Sequence, residues 1–428
     1  MRIAFIVGQF PSLSQTFVLR PIIGLLDRGH DVEIFAHSPG KDPMTHDDIE
    51  RYRLLRRTRY LNTRADRATG MGRLAKRAGL LIANFHKNPT AALKTLNVSR
   101  FGNSALSLGV FSAVTPFLDK APFDILHCQF GDLGKLGLLL KDTGLLRGKL
   151  ITSFRGYDIS SFTNRHGEHI YQDLFSRGDL FLCVSEHIKA KLVRLGCDPR
   201  KIIVHRSGAE VRKSDLPLSG VRGNGKVRIV SAARLVDKKG LEYGVQAVAN
   251  ILKRRRDFEY HIAGAGPLRH RLQSLINELN AGDHIKLLGW KTQAEVADLL
   301  KASDILLAPS VTTDTGDEEG IPGVIMEGFA QGLPVVSTYH AGIPEVVKDR
   351  QSGFLVAERD ADALAERLEQ LIDRSELRLA MGRNGRAFVE EHYDIDRLND
   401  RLVKIYRQLL DGELPHIAPQ FRISPGFS

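Results

Sequence analysis

Short apolar segments alternate with amphipathic segments along this chain, and this alternation constrains the fold more than any other feature. Residues 3–7 and 31–36 are apolar runs, residues 16–28 place apolar side chains at helical spacing, and Gly29 stands where a helix C-cap would be. Further apolar runs that end in polar or glycine-containing loops are residues 125–128, 150–154 and 180–184. Parallel strands covered by helices on both faces have this pattern. The first half is therefore predicted to be an α/β sheet.

The second half repeats this pattern after a break in apolar periodicity. Glycine and proline cluster in residues 213–225, which we interpret as a linker. The predicted strands beyond it are residues 228–232, 260–263, 285–288, 305–308 and 334–337. A chain of 428 residues also exceeds the size at which a single hydrophobic core stops growing. We therefore predict an α/β fold of two tandem doubly wound, Rossmann-like domains, with ligands in the cleft at the carboxyl ends of the strands.

The domain boundaries follow from these breaks in pattern. The predicted divisions are a first domain at 1–212, the linker at 213–225, a second domain at 226–395, a C-terminal helix at 396–412 and a tail at 413–428. The helix comes after the second domain is complete, so we expect it to pack back on the first domain.

The cysteines and the N-terminal residues indicate the cellular compartment of the protein. Cys128, Cys183 and Cys197 are odd in number and lack zinc or redox spacing, which favours free thiols in a reducing compartment. The first residues lack the long apolar region of a signal peptide, and no apolar run approaches the ~20 residues that span a bilayer. We expect a cytoplasmic protein whose membrane contact is peripheral.

Much of the net charge of +11 lies in one segment, residues 51–87. Arginine and lysine are numerous there, Asp66 is the single acid, and apolar residues are interleaved with the cations. This pattern is typical of a basic amphipathic surface that binds anionic lipid, although a solvated helical face is an equally valid interpretation. Nucleic acid is not expected as a partner, because no nucleic-acid-binding motif accompanies the charge.

The densest chemical signal runs from residue 318 to residue 347. A helix that begins at Pro322 would leave the backbone N–H groups of Gly323 and Val324 unpaired, at a helix end that favours anions such as a diphosphate. The small residues Gly320 and Gly323 would allow a ligand to approach closely. Glu319 and Glu327 flank this helix start, and carboxylates accept hydrogen bonds from vicinal sugar hydroxyls. One carboxylate could hold the sugar and the other the ribose. Alternatively, Glu319 is a helix N-terminal charge and Glu327 a solvated residue.

Motifs in both halves of the chain resemble those of one protein family, in the same order. Glu319 and Glu327 have seven residues between them, as in the E-x7-E signature of the retaining family-4 glycosyltransferases of GT-B fold. The other matching segments are 234–240 (Arg-Leu-Val-Asp-Lys-Lys-Gly), 264–268 (Gly-Ala-Gly-Pro-Leu), 10–18 (Phe-Pro-Ser-Leu-Ser-Gln-Thr-Phe-Val) and 154–158 (Phe-Arg-Gly-Tyr-Asp). The last two are similar to segments of colanic acid and other exopolysaccharide transferases. The resemblance implies a first domain that binds acceptor and a second that binds a nucleotide-diphosphate sugar.

The resemblance also implies site roles in the second domain. Arg234 and Lys239 would neutralise the donor diphosphate, and Glu319 would act beside them in catalysis. Gly264 and Gly266 would form a turn beneath the nucleotide, and Trp290 would either flank the base or belong to the core. Transfer would proceed by front-face displacement with retention of configuration, the departing phosphate accepting the acceptor's proton.

The first domain departs from the family pattern at two places. Arg155 stands where the family often has histidine, so either the acceptor is anionic at this point or Arg155 has a positional role, with Asp158 orienting it. The family's Gly-Gly loop after the first strand is replaced, which makes Ser14, Gln15 and Thr16 candidates for acceptor contact, along with Asp158; Ser14 could equally be a plain helix N-cap.

The sequence leaves the substrates and two other functions open. The acceptor is expected to be a glycan or an undecaprenyl-diphosphate-linked oligosaccharide at the inner membrane face, and the donor a UDP- or GDP-sugar. No cofactor is expected, and no metal, because no His, Cys and acid set has metal-ligand spacing. The alternatives are a nucleotide-sugar epimerase of the same fold and a non-catalytic sugar-nucleotide-binding subunit.

Overall fold

Two parallel β-sheets flanked by helices make up the computed structural model, which describes residues 1–12, 15–40, 46–61, 70–211 and 225–415. Ser14, nearly all of the predicted linker and most of the predicted tail lie outside these ranges. The predicted α/β architecture of two Rossmann-like halves is confirmed.

The first sheet has strand order β3-β2-β1-β4-β5-β6-β7 in the described residues, all parallel. Its strands are β1 Arg2–Phe10, β2 Asp31–Pro39, β3 Thr58–Tyr60, β4 Ile125–Gln129, β5 Lys149–Phe154, β6 Leu180–Cys183 and β7 Ile202–Val204. The α-helices of this half are α1 Thr16–Asp27, α2 Asp47–Arg51, α3 Gly70–Asn84, α4 Pro89–Thr95, α5 Val98–Phe101, α6 Asn103–Leu106, α7 Gly109–Val114, α8 Gly131–Thr143, α9 Ser161–His166, α10 Gln172–Arg177 and α11 Glu186–Arg194. The chain reverses winding direction between β1 and β4.

The second sheet repeats this order as β10-β9-β8-β11-β12-β13, also parallel. Its strands are β8 Val227–Ala232, β9 Phe258–Ala263, β10 Ile285–Gly289, β11 Ile305–Ala308, β12 Val335–Thr338 and β13 Gly353–Val356. The α-helices of this half are α12 Leu241–Leu252, α13 Arg269–Glu278, α14 Gln293–Lys301, α15 Gly323–Ala330, α16 Ile343–Val346, α17 Ala361–Asp373, α18 Ser375–His392 and α19 Ile395–Leu410. The reversal point lies between β8 and β11, where doubly wound sheets bind ligands.

Alternate residues of the central strand β1 pack into two separate hydrophobic cores. On β1, Ala4 and Ile6 pack with the apolar face of α8, whereas Ile3, Phe5 and Val7 pack with α1. All five side chains are fully buried. Burial on both faces explains why these strands read as continuous apolar runs in the sequence.

The last helix, α19, covers the first sheet although the second half precedes it in the chain. Leu402, Ile405 and Tyr406 of α19 belong to the same apolar core as Phe5 of β1. The Tyr406 hydroxyl lies 2.6 Å from Nδ1 of the buried His127 on β4. The chain thus crosses between the halves twice. At the crossing, Ala209 donates its N–H to the carbonyl of Tyr393.

The structure refines several sequence predictions. Each strand predicted from the sequence exists, with ends shifted by up to three residues. The sequence reading missed β3, β7 and β13, which are only three or four residues long. Asp394 caps α19 by accepting from the Arg397 N–H. The three cysteines are buried and free. Within the described ranges, no helix combines the length and apolar character needed to cross a membrane.

Candidate active site

A cleft of about 1160 Å³ lies between the carboxyl ends of the two sheets. The residues that line it follow strand ends in both halves: Gln15 after β1, Phe130 after β4, Arg155 after β5, Arg234 after β8 and Trp290 after β10. Parallel strands end at one edge of a sheet, so the topology gathers these loops without any sequence proximity between them.

The loop after β8 carries positive charge into the cleft. Arg234 is exposed there, and its guanidinium makes no hydrogen bond or ion pair with another described residue. Lys238 and Lys239 belong to the short 3-10 helix Asp237–Lys239 that follows. Both ammonium groups face Glu319: Lys239 Nζ lies 3.0 Å and Lys238 Nζ 3.6 Å from its carboxylate oxygens. The fold thereby brings three of the predicted catalytic residues, Arg234, Lys239 and Glu319, to one wall of the cleft.

Glu319 is ionised because of these lysines. Burial of the side chain would raise its pKa, but the charges of Lys239 and Lys238 outweigh burial and lower the pKa of Glu319 to about 2. At neutral pH the site therefore presents a carboxylate paired with ammonium groups. An incoming diphosphate would compete with Glu319 for the same two cations.

The backbone of Glu319 is held by a residue that sequence reasoning missed, His340. The N–H of Glu319 donates to Nε2 of His340 at 3.0 Å, and Nδ1 of His340 lies 2.6 Å from the Glu358 carboxylate. Nδ1 therefore carries the proton and Nε2 is the acceptor. Glu358 also accepts from the Thr312 N–H at 2.7 Å, which ties the loop after β11 to the same carboxylate. Burial lowers the pKa of His340, which favours the neutral ring that this arrangement requires.

Helix α15 begins at the cleft one residue later than predicted. Pro322 has ψ 122°, outside the helical region, so it is the N-cap residue and the helix starts at Gly323. The backbone N–H groups of Gly323 and Val324 find no acceptor among the described residues, and both residues line the cleft with Pro322. Gly320 has a different reason to be small: a Cβ there would lie 2.5 Å from the Arg155 carbonyl of the first half.

Glu327 lies in the second turn of α15, on the side that lines the cleft. Burial raises its pKa, and Arg20 of the first half partly opposes the shift. Arg20 is itself 2.9 Å from Glu210. Glu327 is therefore neither a solvated surface residue nor part of the Glu319 and lysine cluster, and it faces the first half.

The glycine turn after β9 contacts the cation-bearing loop. A Cβ on Gly264 would lie 1.8 Å from the Ala233 carbonyl, and one on Gly266 would lie 2.4 Å from that of Leu235, at φ values of +148° and +159°. Gly264 lines the cleft, whereas Gly266 supports the 233–236 loop without being part of the cleft wall. Trp290 is 37% exposed and lines the cleft, so it is not a core residue.

Arg155 extends from the first-half wall and is held by neutral groups. Its Nε and Nη2 donate to Oε1 of Gln129 at 3.2 and 2.7 Å, and Nη1 donates to the Ser207 hydroxyl at 3.0 Å. Nη2 lies 3.5 Å from the Phe17 carbonyl, and the Phe17 ring covers the guanidinium at 4.2 Å. Burial lowers the pKa of Arg155 to about 10, with Asp158 opposing the shift, so the group stays charged at neutral pH.

The proposed acceptor role of Asp158 is wrong, and so is its role in orienting the Arg155 guanidinium. Asp158 is fully buried, is absent from the cleft wall, and accepts from the backbone N–H groups of Gly131, Arg155 and Gly156, each at 3.0 Å. Its carboxylate therefore joins two loops, and burial raises its pKa to about 6. Gln15 and Thr16 do line the cleft, and Gln15 occupies the N-cap position of α1.

Metal ligands are not clustered in the described ranges, where no group of three or more His, Cys, Asp or Glu side chains is arranged to hold an ion. The signal that could have revealed His340 was its place two residues before the Gly-Ile-Pro-Glu segment 342–345. That segment also ends in Glu345, whose carboxylate accepts from the N–H groups of Glu186 and His187 at the start of α11, both at 3.0 Å.

Two family models together match most of the chain. The model described as Glycosyltransferase Family 4 matches residues 14–213, and the one described as Glycosyl transferases group 1 matches residues 219–388. Among curated proteins, the putative colanic acid biosynthesis glycosyltransferase WcaL of Salmonella typhimurium is 37% identical over 418 residues, 96% of this chain and 100% of WcaL. The amylovoran biosynthesis glycosyltransferase AmsK of Erwinia amylovora is 38% identical over 377 residues, 87% of this chain and 90% of AmsK.

Solved structures share the fold. A glycosyltransferase from Rickettsia africae has a TM-score of 0.68 at 18% identity, covering 96% of this chain and 99% of its own. Anabaena HepE in complex with UDP and glucose has a TM-score of 0.69 at 16% identity, covering 95% of this chain and all of its own. At these identities the likeness supports the two-sheet architecture alone.

Proposed function

Because the chain belongs to the family 4 glycosyltransferases, with relatives in exopolysaccharide biosynthesis, we propose that it transfers a sugar from a nucleotide diphosphate donor with retention of configuration. The observation that carries this proposal is the cluster of Glu319 with Lys238 and Lys239 beside the open start of α15. The donor is a UDP- or GDP-sugar, and the acceptor is a glycan or an undecaprenyl-diphosphate-linked oligosaccharide.

The cations of the second half would hold the diphosphate. Arg234 offers a planar fork without a competing partner among the described residues, and Lys239 offers a point charge. The N–H groups of Gly323 and Val324 add donors at the positive end of α15. These groups suit the leaving diphosphate, whose charge increases as the bond to the sugar breaks. Since they supply the positive charge, we propose that transfer needs no divalent metal.

The carboxylates would orient the donor sugar and ribose. Glu319 loses part of its lysine pairing when phosphate arrives, which frees its oxygens for sugar hydroxyls beside the anomeric carbon. Glu327, in the second turn of α15, would accept hydrogen bonds from the ribose hydroxyls. The acceptor hydroxyl then forms the new C–O bond on the face from which the diphosphate leaves, and its proton passes to the departing phosphate oxygen. No side chain has to act as a base.

A thermal-shift series with UDP, GDP, ADP and their sugars, in the presence of chelator, tests the proposal. A nucleotide at 100 times its dissociation constant should stabilise the fold by about 2.7 kcal/mol. The shift should vanish in Lys239→Ala and persist in Lys253→Ala, an exposed lysine away from the cleft. Product analysis by NMR then reports the anomeric configuration.

Each measurement has an outcome that would contradict part of the proposed function. No shift with any nucleotide would contradict the donor site, and loss of the shift on chelation would contradict metal independence. Binding without transfer or donor hydrolysis would favour a non-catalytic subunit. Interconversion of the sugar on the nucleotide would favour an epimerase, and an inverted product would exclude retention.

We further propose that a basic apolar surface, defined as α3 to α6 with Leu55 and Arg56, docks on an anionic membrane at its cytoplasmic face. No residue of α3 is buried, and Met71 and Ile82 are 89% and 80% exposed. Between Asp66 and Asp119 the sequence has no acid but several cations. Exposed apolar side chains interleaved with cations suit a bilayer of anionic lipid, where each cation contributes about 1 kcal/mol.

Co-sedimentation with phosphatidylglycerol and phosphatidylcholine vesicles tests the surface. Arg56, Lys76 and Lys87 are exposed, whereas Arg57 and Arg59 pair with Asp31 and Asp119, so the first three are the better positions for change. A triple change of these three to Glu should abolish binding to the anionic vesicles. The control is the same charge change at exposed positions of the second half, Lys226, Lys253 and Arg383. Equal loss in both triple variants, or binding to both lipids alike, would refute a specific docking surface.

A further inference from the structure

Among the described residues, no acid on the same wall of the cleft matches the positive charge of Arg155. The described residues of the first half that line the cleft include Gln15, Phe17, Arg155 and Ser207, but no aspartate or glutamate. Within the same part of the chain, the hydrogen-bond acceptors of the guanidinium are an amide oxygen, a hydroxyl and a carbonyl. A charge removed from water without a partner of opposite sign is costly, which indicates that a ligand supplies the missing anion.

The nearest acid cannot supply it. Asp158 lies close enough to influence Arg155 electrostatically, but its oxygens are occupied by three backbone N–H groups and make no bond with the guanidinium. Asp158 is also fully buried behind the cleft wall. It stabilises the loop from which Arg155 extends and makes no direct contact with the guanidinium.

The fork retains donor capacity toward the cleft. A guanidinium has five N–H donors. The bonds to Gln129, Phe17 and Ser207 use Nε, both hydrogens of Nη2 and one of Nη1, so one Nη1 hydrogen has no acceptor in the described residues. Gln129 and the Phe17 ring fix the plane of the group. The side chain is thus already ordered for a ligand.

Position separates this charge from the donor diphosphate. The cations expected to hold the diphosphate, Arg234 and Lys239, belong to the second half. Arg155 lies on the opposite wall, yet the adjacent Gly156 would place a Cβ 3.2 Å from the backbone N of Gly320. The backbone that bears Arg155 therefore meets the segment that bears Glu319. We expect an anion on Arg155 to lie on the acceptor side of the cleft, near the reacting sugar.

We propose that Arg155 binds an anionic group, a carboxylate or a phosphate, carried by the acceptor sugar. This inference rests on the proposed transferase function and names the acceptor class as an acidic glycan. Gln129 and Ser207 position the guanidinium, and Arg155 selects acidic over neutral acceptors.

Methyl β-D-glucuronide and methyl β-D-glucoside, titrated by NMR into protein saturated with UDP, test the proposal. A charge-assisted hydrogen bond contributes roughly ten- to hundredfold in affinity, so the glucuronide should bind at least about tenfold tighter than the glucoside. The preference should disappear in Arg155→Gln. It should also disappear in Gln129→Glu, which keeps the arginine but places an internal carboxylate against it. Methyl phosphate is the second probe and should compete with the glucuronide.

The outcomes distinguish the sources of the anion. Equal binding of glucuronide and glucoside, or an unchanged preference in both variants, would overturn the proposal. Glucuronide binding that strengthens when the titration is repeated without UDP would assign Arg155 to the donor phosphate and overturn the acceptor role. UDP binding is measured separately by thermal shift and should persist in Arg155→Gln. Absence of UDP binding in the unaltered protein would instead be a failure of the transferase proposal.

Discussion

The position of Glu319 is fixed through both its side chain and its backbone. The carboxylate is held by Lys238 and Lys239, and the N–H is held by His340, which Glu358 orients. A sugar-binding carboxylate must be placed within a few tenths of an ångström to favour the transition state. His340 is therefore a positioning residue for Glu319 and does not itself touch the cleft.

Replacing His340 by glutamine should lower kcat about tenfold while leaving the dissociation constant for UDP within about threefold. One hydrogen bond that orients Glu319 is lost, but the cations proposed to hold the diphosphate remain. Steady-state kinetics and thermal shift with UDP measure the two effects. His284→Gln is the matched control: it removes a bond from an imidazole to the Phe258 carbonyl away from the cleft. An equal drop in kcat in both variants would show a general loss of folding instead.

The contributions of His340 and Glu319 to stability should be lost over different pH ranges. Burial lowers the pKa of His340 below its usual 6.5, so its contribution to stability is present above about pH 6.5 and is lost as the pH falls toward the folded-state value. The folded pKa of Glu319, about 2 against a usual 4.5, means that its contribution persists above about pH 4.5 and is lost below it. Melting temperatures from pH 8 to 5 should fall less in His340→Gln than in the unaltered protein. Glu319→Gln should keep the original slope in this window.

At the scale of elements, the loops after β8 and β9 pack so closely that only glycine fits between them. Gly264 has φ +148° and no room for a Cβ against the Ala233 carbonyl. The turn therefore fixes the position of the loop that bears Arg234 and Lys239.

Gly264→Ala should destabilise the fold by at least about 3 kcal/mol and weaken UDP binding, because the 233–236 loop must move. Gly282→Ala is the control, since a Cβ there would meet nothing within 4 Å and the φ lies outside the positive range that disfavours side chains. That variant should stay within about 0.5 kcal/mol of the unaltered protein. Chemical denaturation and UDP titration measure both. Equal stability of the two variants would contradict the tight packing of this turn.

At the scale of the molecule, two carboxylates of the second half hold a helix of the first. Glu345 accepts from the N–H groups at the start of α11, and Glu318 accepts from His187 on the same helix and pairs with Lys191. These contacts bring the two walls of the cleft together, and they are polar, so they can separate and re-form during substrate exchange.

Glu345→Ala should raise the KM for donor about three- to tenfold, since about 0.7 to 1.4 kcal/mol of the free energy of closing is lost. Small-angle scattering should report a larger mean radius of gyration than in the unaltered protein. Glu366→Ala, an exposed acid outside the cleft, serves as control. An unchanged radius and KM would mean that Glu345 has no part in closing.

The alternation of apolar and amphipathic segments was enough to predict two doubly wound sheets, because burial on both faces imposes local patterns that can be read without knowing the fold. The same holds for the candidate cations and carboxylates around 234–239 and 319–327, which lie in contiguous motifs. Short strands such as β3 were missed, since three residues carry too little periodicity to be distinguished from a loop.

Only the tertiary structure decided which polar groups meet. His340 bonds to a backbone 21 residues away, Tyr406 reaches His127 from the far end of the chain, and Glu345 caps a helix of the other half. Asp158 looked like a ligand-binding acid in sequence, but the fold surrounds it with three backbone donors. Hydrophobic burial imposes a local periodicity on the apolar residues, so it can be predicted from the sequence. A hydrogen bond depends on distance and direction between groups that only the folded chain brings together.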